Sequence, residues 1–371
     1  MSEDSAASTE AFIPAYKGDW PAARAHHLDW WAGRGPAVSI TARLGEPREP
    51  FVPPGPTDDL RRRWIDPAYR SQQALAALAR THFAADAVPI ANTNVGAGDL
   101  AAMLGAGWHF AESTVWYEPN ITDPQAHPPL AFDPANEAFD ALYEMTRAIC
   151  EAVADRAYVG VTDLIENLDI IAAMRDPQTI MMDMIERPGW VSQRIEQITD
   201  AWFEAYERFY QLVAKPDGSS CWAAFDLWGP GRVAKVQCDA AAMISPAMFN
   251  QFVVPELTRQ CAGLDHAMYH LDGTQAMCHL DALLSIEPLD AIEWTPQAGI
   301  EHGGHPRWYD LYRRIKAGGK SVQAIGVRYD EVIPLLDAVG PEGMYVIAGP
   351  APDVDAAEAL AERLQPYYPA R

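Results

Sequence analysis

The stretch Tyr269-His270-Leu271-Asp272-Gly273 carries the densest chemistry in this chain. His270 and Asp272 stand two residues apart at the end of an apolar run, so in a straight strand both side chains share one face. An imidazole beside a carboxylate can bind a metal, share a proton, or steady a turn through a hydrogen bond. A second group, Glu301-His302-Gly303-Gly304-His305, sets two histidines three apart beside an acid, and its glycines suggest an exposed flexible loop. A third, Trp228-Gly229-Pro230-Gly231-Arg232 leading to Gln237-Cys238-Asp239, offers a turn that brings backbone close to a ligand. Asp239 there is a base, an anchor or a helix cap. Thr114-Val115-Trp116 and the other tryptophans are candidates to line a pocket for a flat or apolar substrate, or to pack the core.

These residues need elements to position them. Short apolar runs alternate with long amphipathic segments: Ala87–Ala91, Tyr158–Leu164, Cys221–Leu227, Val233–Gln237, Ala267–Leu271, Ala291–Trp294, Val322–Val327 and Met344–Ala348. Continuous apolarity suits parallel strands buried on both faces. Helical spacing marks residues 66–85, 138–155, 190–214, 247–263 and 308–317. Strands each followed by a helix predict an α/β fold, a (β/α)8 TIM-type barrel, with a doubly wound sheet as the competitor. Residues 1–57, rich in Pro, Gly and Trp, read as an irregular N-terminal arm with one helix near Trp20–Trp31; residues 58–371 form the barrel.

In such a barrel the active site sits at the carboxyl ends of the strands. That places Asp163, Asp239, His270, Asp272 and Glu293 as catalytic candidates. Asn92, Asn94, Trp116, Trp228 and Gln237 become substrate-binding candidates. His270, Asp272 and His302 become metal-ligand candidates. GxSxG, P-loop and HExxH motifs are absent, and Gly96-x-Gly98 does not extend to a dinucleotide loop.

Composition narrows the partners. The 371 residues carry a formal charge of −23, which repels nucleic acid and anionic membrane surfaces. The amino terminus lacks the basic and apolar regions of a signal peptide, and no apolar run approaches a membrane span. Five scattered cysteines form no CxxC, so a reducing cytoplasm is expected.

The run AMYHLDGTQAMCHLDALLSIEPLDAIEWTPQAG from Ala267 to Gly299 resembles the uroporphyrinogen decarboxylase superfamily. So do MISPAMFNQFVVPEL and the closing GPEGMYVIAGPAP with its AEALAERL helix, a resemblance spanning about residues 60–368. The superfamily is a (β/α)8 barrel and holds both the decarboxylase and zinc-dependent, corrinoid-linked methyltransferases. The decarboxylase's arginine-rich RxPVWxMRQAGR segment is replaced here by HHLDWWAGRGPAVSI, and its Gly-His-Gly by Ala348-Gly349-Pro350. An acidic chain without that array is a poor match for a substrate of eight carboxylates. The methyltransferases hold zinc through His-x-Cys and a later Cys. Here His270-x-Asp272 stands at the first motif, and the later Cys is missing.

The resemblance therefore implies methyl transfer to or from a small substrate at a His/Asp zinc site, with a corrinoid protein as a partner and a homodimer by analogy. Two alternatives stand beside it. One is a metal-free decarboxylase or lyase, in which Asp163 or Asp272 stabilises a cation on a carboxylated aromatic or pyrrolic substrate. The other is a non-catalytic ligand-binding barrel.

Overall fold

The computed structural model describes residues 10–370. Thirteen strands are found among them: β1 (Ala37–Arg43), β2 (Thr81–Ala85), β3 (Ile90–Ala91), β4 (Gly107–Phe110), β5 (Val115–Glu118), β6 (Tyr158–Val161), β7 (Ser220–Trp222), β8 (Leu227–Gly229), β9 (Val233–Gln237), β10 (His266–Asp272), β11 (Ala291–Thr295), β12 (Ser321–Val327) and β13 (Met344–Ala348). The large sheet runs β2-β1-β13-β12-β11-β10-β9 and is parallel from β1 through β9, with β2 antiparallel at the edge. A second sheet runs β3-β6-β7-β8, parallel except for the β7–β8 hairpin, and β4–β5 form a separate hairpin.

The fold is thus α/β with a seven-stranded main sheet. Its ladders do not close into one ring; they form two arcs. Side chains bridge the arcs instead. Gln323 Nε2 of β12 donates to the Phe225 carbonyl at 2.8 Å, and Tyr345 Oη of β13 donates to the Asp226 carbonyl at 3.0 Å. Both carbonyls belong to the β7–β8 turn, where Phe225 (φ 64°) and Asp226 (φ 48°) take left-handed backbone. That turn also explains why the predicted strand Cys221–Leu227 breaks in two.

Helices form where apolar residues recur on one face. In Glu137–Val153, Phe139, Leu142, Met145, Ile149 and Val153 are buried, and Asn136 Oδ1 caps the start by accepting from Ala138 N at 2.8 Å. The Pro188–Val213 helix packs likewise, burying Ile195, Ile198, Trp202 and Phe209. Two predicted helices differ from expectation. The one from Asp66 spans only Pro67–Ala79, because Thr81-His82-Phe83 pairs with β1 as β2. The one from Ala247 to Gly263 loosens to a π-turn over Phe249–Val253, since Pro255 has no N–H to continue the α-helical ladder. Among the described residues, no helix is long and apolar enough to cross a membrane.

The predicted irregular arm is largely docked structure. The Trp20–Trp31 helix lies where expected and closes the amino-terminal ends of the strands. Trp30 Nε1 donates to the Val322 carbonyl at 3.0 Å and Trp31 Nε1 to the Trp228 carbonyl at 2.9 Å. Residues 37–43 then enter the main sheet as β1, between β2 and β13. Residues 1–9 of the predicted arm and residue 371 lie outside the described residues.

The second arc depends on one close approach. A Cβ on Gly160 of β6 would lie 2.5 Å from the backbone of Ala223. Gly160→Ala is expected to lower unfolding free energy by about 1–3 kcal/mol in chemical denaturation, the usual cost of overpacking. An unchanged midpoint would show that the arcs pack more loosely than described.

Candidate functional site

Parallel pairing sets the site. Gln237 of β9, His270 of β10, Glu293 of β11, Gln323 of β12 and Tyr345 of β13 stand directly opposite one another in register. Registered residues of a parallel sheet share a face, so these five form one polar rung. Gln237, Glu293, Gln323 and Tyr345 are buried, and His270 is nearly so. Two residues further along β10, on the same face and nearer its carboxyl end, comes Asp272, and Asp239 opens the 3-10 turn that follows β9.

The rung orients the histidine. His270 Nδ1 pairs with Glu293 Oε2, and Glu293 Oε1 accepts from Thr295 Oγ1 at 2.8 Å. The Phe225 ring packs against the imidazole at 4.7 Å between centroids. Burial works against the imidazolium, but the charge and hydrogen bond of Glu293 outweigh it, so the histidine's pKa stands above its ordinary value. With Nδ1 occupied, Nε2 is the nitrogen left for a ligand. Ligand atoms of Asp239, His270 and Asp272 all lie within 4.8 Å of one another, close enough to hold a metal ion between them. The expected same-face pairing of His270 and Asp272 is present, and Asp239 and Glu293 join it.

The other predicted residues distribute differently. Asp163 sits beside this group with its carboxylate already paired: Oδ1 lies 2.6 Å from Lys235 Nζ, and both are buried. Lys235 also donates to Gln237 Oε1, so that oxygen holds the lysine. Asn94 Oδ1 accepts from Asp163 N at 2.8 Å and Asn92 Oδ1 accepts from Asn94 N at 2.7 Å, so both side-chain oxygens brace the strand-end loop. Trp116 projects from β5 at 63% exposure and borders a cleft of about 430 Å³ that also reaches Asp169 and Asp239.

Two expectations are corrected. Trp228 is fully buried among Trp20, His27 and Tyr158 beside the docked helix, because an apolar ring finds more contact there than at the mouth. His302 does not join the triad; its Nδ1 lies 3.2 Å from Glu331 Oε2. Its loop is not a free surface loop either. Gly303 and Gly304 are buried, and a Cβ on Gly303 would lie 2.0 Å from the Ile325 carbonyl oxygen.

Four acids or bases escaped the sequence reading. Glu166 is fully buried, its Oε1 accepts from Gln237 N, and desolvation pushes its pKa up to about 8 against the pull of Lys235. Asp169 accepts from Asp239 N at 2.7 Å and Ala240 N at 2.8 Å, and burial followed by the charge of Asp239 raises it to about 7. Asp99, buried and bonded to Thr162 Oγ1 and to Tyr117 Oη, rises to about 7 by desolvation. Lys235 is the fourth. Signals existed: Asp163, Glu166 and Asp169 recur every third residue, and a lysine inside the apolar run VAKVQ is costly unless paired. Ile165 (φ 53°) and Asn167 (φ 59°) flank Glu166 in left-handed backbone, strain of the kind that gathers at functional loops.

The chain was compared with known proteins. No family model matches it, and no curated protein matches its sequence. Among solved structures, a methyltransferase from Methanosarcina mazei shares the fold, with a TM-score of 0.59 over 92% of this chain and 98% of that one at 12% identity. At that identity the likeness establishes the fold, and the roles of residues rest on the geometry above.

The buried pair yields a test. Lys235→Met strands the Asp163 carboxylate and is expected to cost about 3–5 kcal/mol of unfolding free energy. Adding Asp163→Asn should recover much of that loss. A single variant as stable as the parent would place the lysine outside the buried network.

Proposed function

We propose that the protein is a metal-dependent enzyme of the methyltransferase type, acting on a small substrate at the mouth of a (β/α)8-type barrel whose two arcs meet through Gln323 and Tyr345. The observation that carries this reading is the convergence of Asp239, His270 and Asp272 behind a histidine already oriented by Glu293. A carboxylate on the far nitrogen of a ligating imidazole is the usual outer support of a metal centre. The donor set fits a divalent ion: one nitrogen and two carboxylate oxygens, all acceptable to zinc. It is harder than the thiolate set that the resemblance implies, and among the described residues no cysteine joins it. When bound, such an ion supplies Lewis acidity that lowers the pKa of a coordinated thiol or alcohol.

The chain's own residues do the rest. Glu293 fixes the tautomer and aim of His270. Asp169 holds the turn that presents Asp239 through two backbone N–H groups. Lys235 neutralises Asp163 beneath the site. A corrinoid protein as the methyl carrier follows from the family resemblance and belongs to the same proposal. In the decarboxylase reading Asp163 is already matched by Lys235, which leaves Asp272 to answer a substrate cation.

Elemental analysis tests the proposal. Purified protein is expected to hold about one equivalent of zinc or a similar divalent metal. His270→Ala should lose it, and Glu293→Gln should weaken it by about 10–100-fold. Metal-free wild-type protein with full activity would overturn the reading.

A further inference from the structure

The cleft beside the triad is lined by two unlike kinds of side chain. Asp239, a triad member, and Asp169 supply carboxyl groups. Trp116 and Met243 line it too; they are 63% and 60% exposed and are among the few large apolar side chains left in solvent. Ile165, Ile170 and Pro177 line it as well. The lining therefore joins two carboxyl groups to apolar and aromatic side chains.

Asp169 accepts hydrogen bonds from the backbone of Asp239 and Ala240, and among the described residues no cationic side chain forms an ion pair with it. The buried lysine nearby is matched with Asp163. A divalent ion in the triad would engage Asp239 and Asp272 and leave the Asp169 carboxyl group lining the cleft.

Three ligand classes can be weighed against this shape. An anion meets carboxylates. A neutral apolar molecule covers the Asp169 carboxylate without replacing its water, which is costly. A primary ammonium is strongly hydrated and gains little from apolar walls. An alkylated ammonium spreads its charge over methyl groups, leaves water cheaply, and is attracted both by a carboxylate and by the face of an indole.

We propose that this cleft recognises a small alkylated ammonium ion and that such ions are the substrate class of the enzyme. The inference deepens the methyl-transfer reading and rests on it for the reaction, whereas the recognition itself rests on the cleft.

The test is a calorimetric titration of the full-length protein with choline and with 3,3-dimethylbutanol, an uncharged molecule of similar shape, before and after metal removal by a chelator. Choline should bind at least about tenfold more tightly than the alcohol in both conditions. Trp116→Ala removes an exposed side chain outside the core, so the variant should fold normally. It should weaken choline about tenfold, and Trp116→Phe should restore most of the affinity. Equal binding of the two ligands, or choline affinity unmoved in Trp116→Ala, would overturn the inference. A metal-loaded protein that ignores choline would defeat this inference alone. A protein that binds choline yet never holds a metal would defeat the methyl-transfer reading and leave the recognition standing.

Discussion

The contact between Glu293 and His270 is the constraint around which the site is organised. Both residues sit on the inward face of neighbouring parallel strands, in register and out of water. A buried carboxylate is costly unless a partner answers it, and here the partner is the imidazole, with Thr295 satisfying the second oxygen. Because the pair forms within the sheet, the histidine has little freedom to turn. Its outer nitrogen must meet whatever stands one step closer to the mouth; the strand period puts Asp272 there, and the turn after β9 brings Asp239.

The same logic extends around the arcs. Gln323 and Tyr345 continue the rung and spend their polar groups on the carbonyls of Phe225 and Asp226. Those bridges hold two sheets that share no ladder. The Phe225 ring, carried by the same turn, packs on His270. Contact of the ring with the imidazole thus couples the closing of the fold to the posture of the candidate ligand. Below the site, Lys235 answers Asp163, and Asp169 clamps the turn after β9.

Much of this was legible in the sequence, and the physical reasons are particular. Apolar runs such as VQAIGV and MYVIA announce strands buried on both faces, and the two-residue step from His270 to Asp272 announces a shared face. Glu293 was visible as an acid inside an apolar run. Turn geometry was less visible. The left-handed residues Phe225 and Asp226 split one predicted strand into a hairpin, and nothing in their types demands it. The short runs around β1 and β2 were hidden by neighbouring prolines and by a helix that ends just before Thr81. Trp228 and His302 misled because an aromatic ring and a Gly-flanked histidine read alike at a mouth and in a core. Only long-range contacts, with Trp20 in one case and Glu331 in the other, separate the two.

The donor set itself is the most direct point of attack. X-ray absorption at the zinc edge, on protein loaded with about one equivalent of zinc, reports the ligand atoms without reference to any substrate. The account predicts a shell of nitrogen and oxygen alone, with the outer scattering of a single imidazole, lost in His270→Ala. A sulfur shell near 2.3 Å, or zinc that washes away from the native chain, would contradict it.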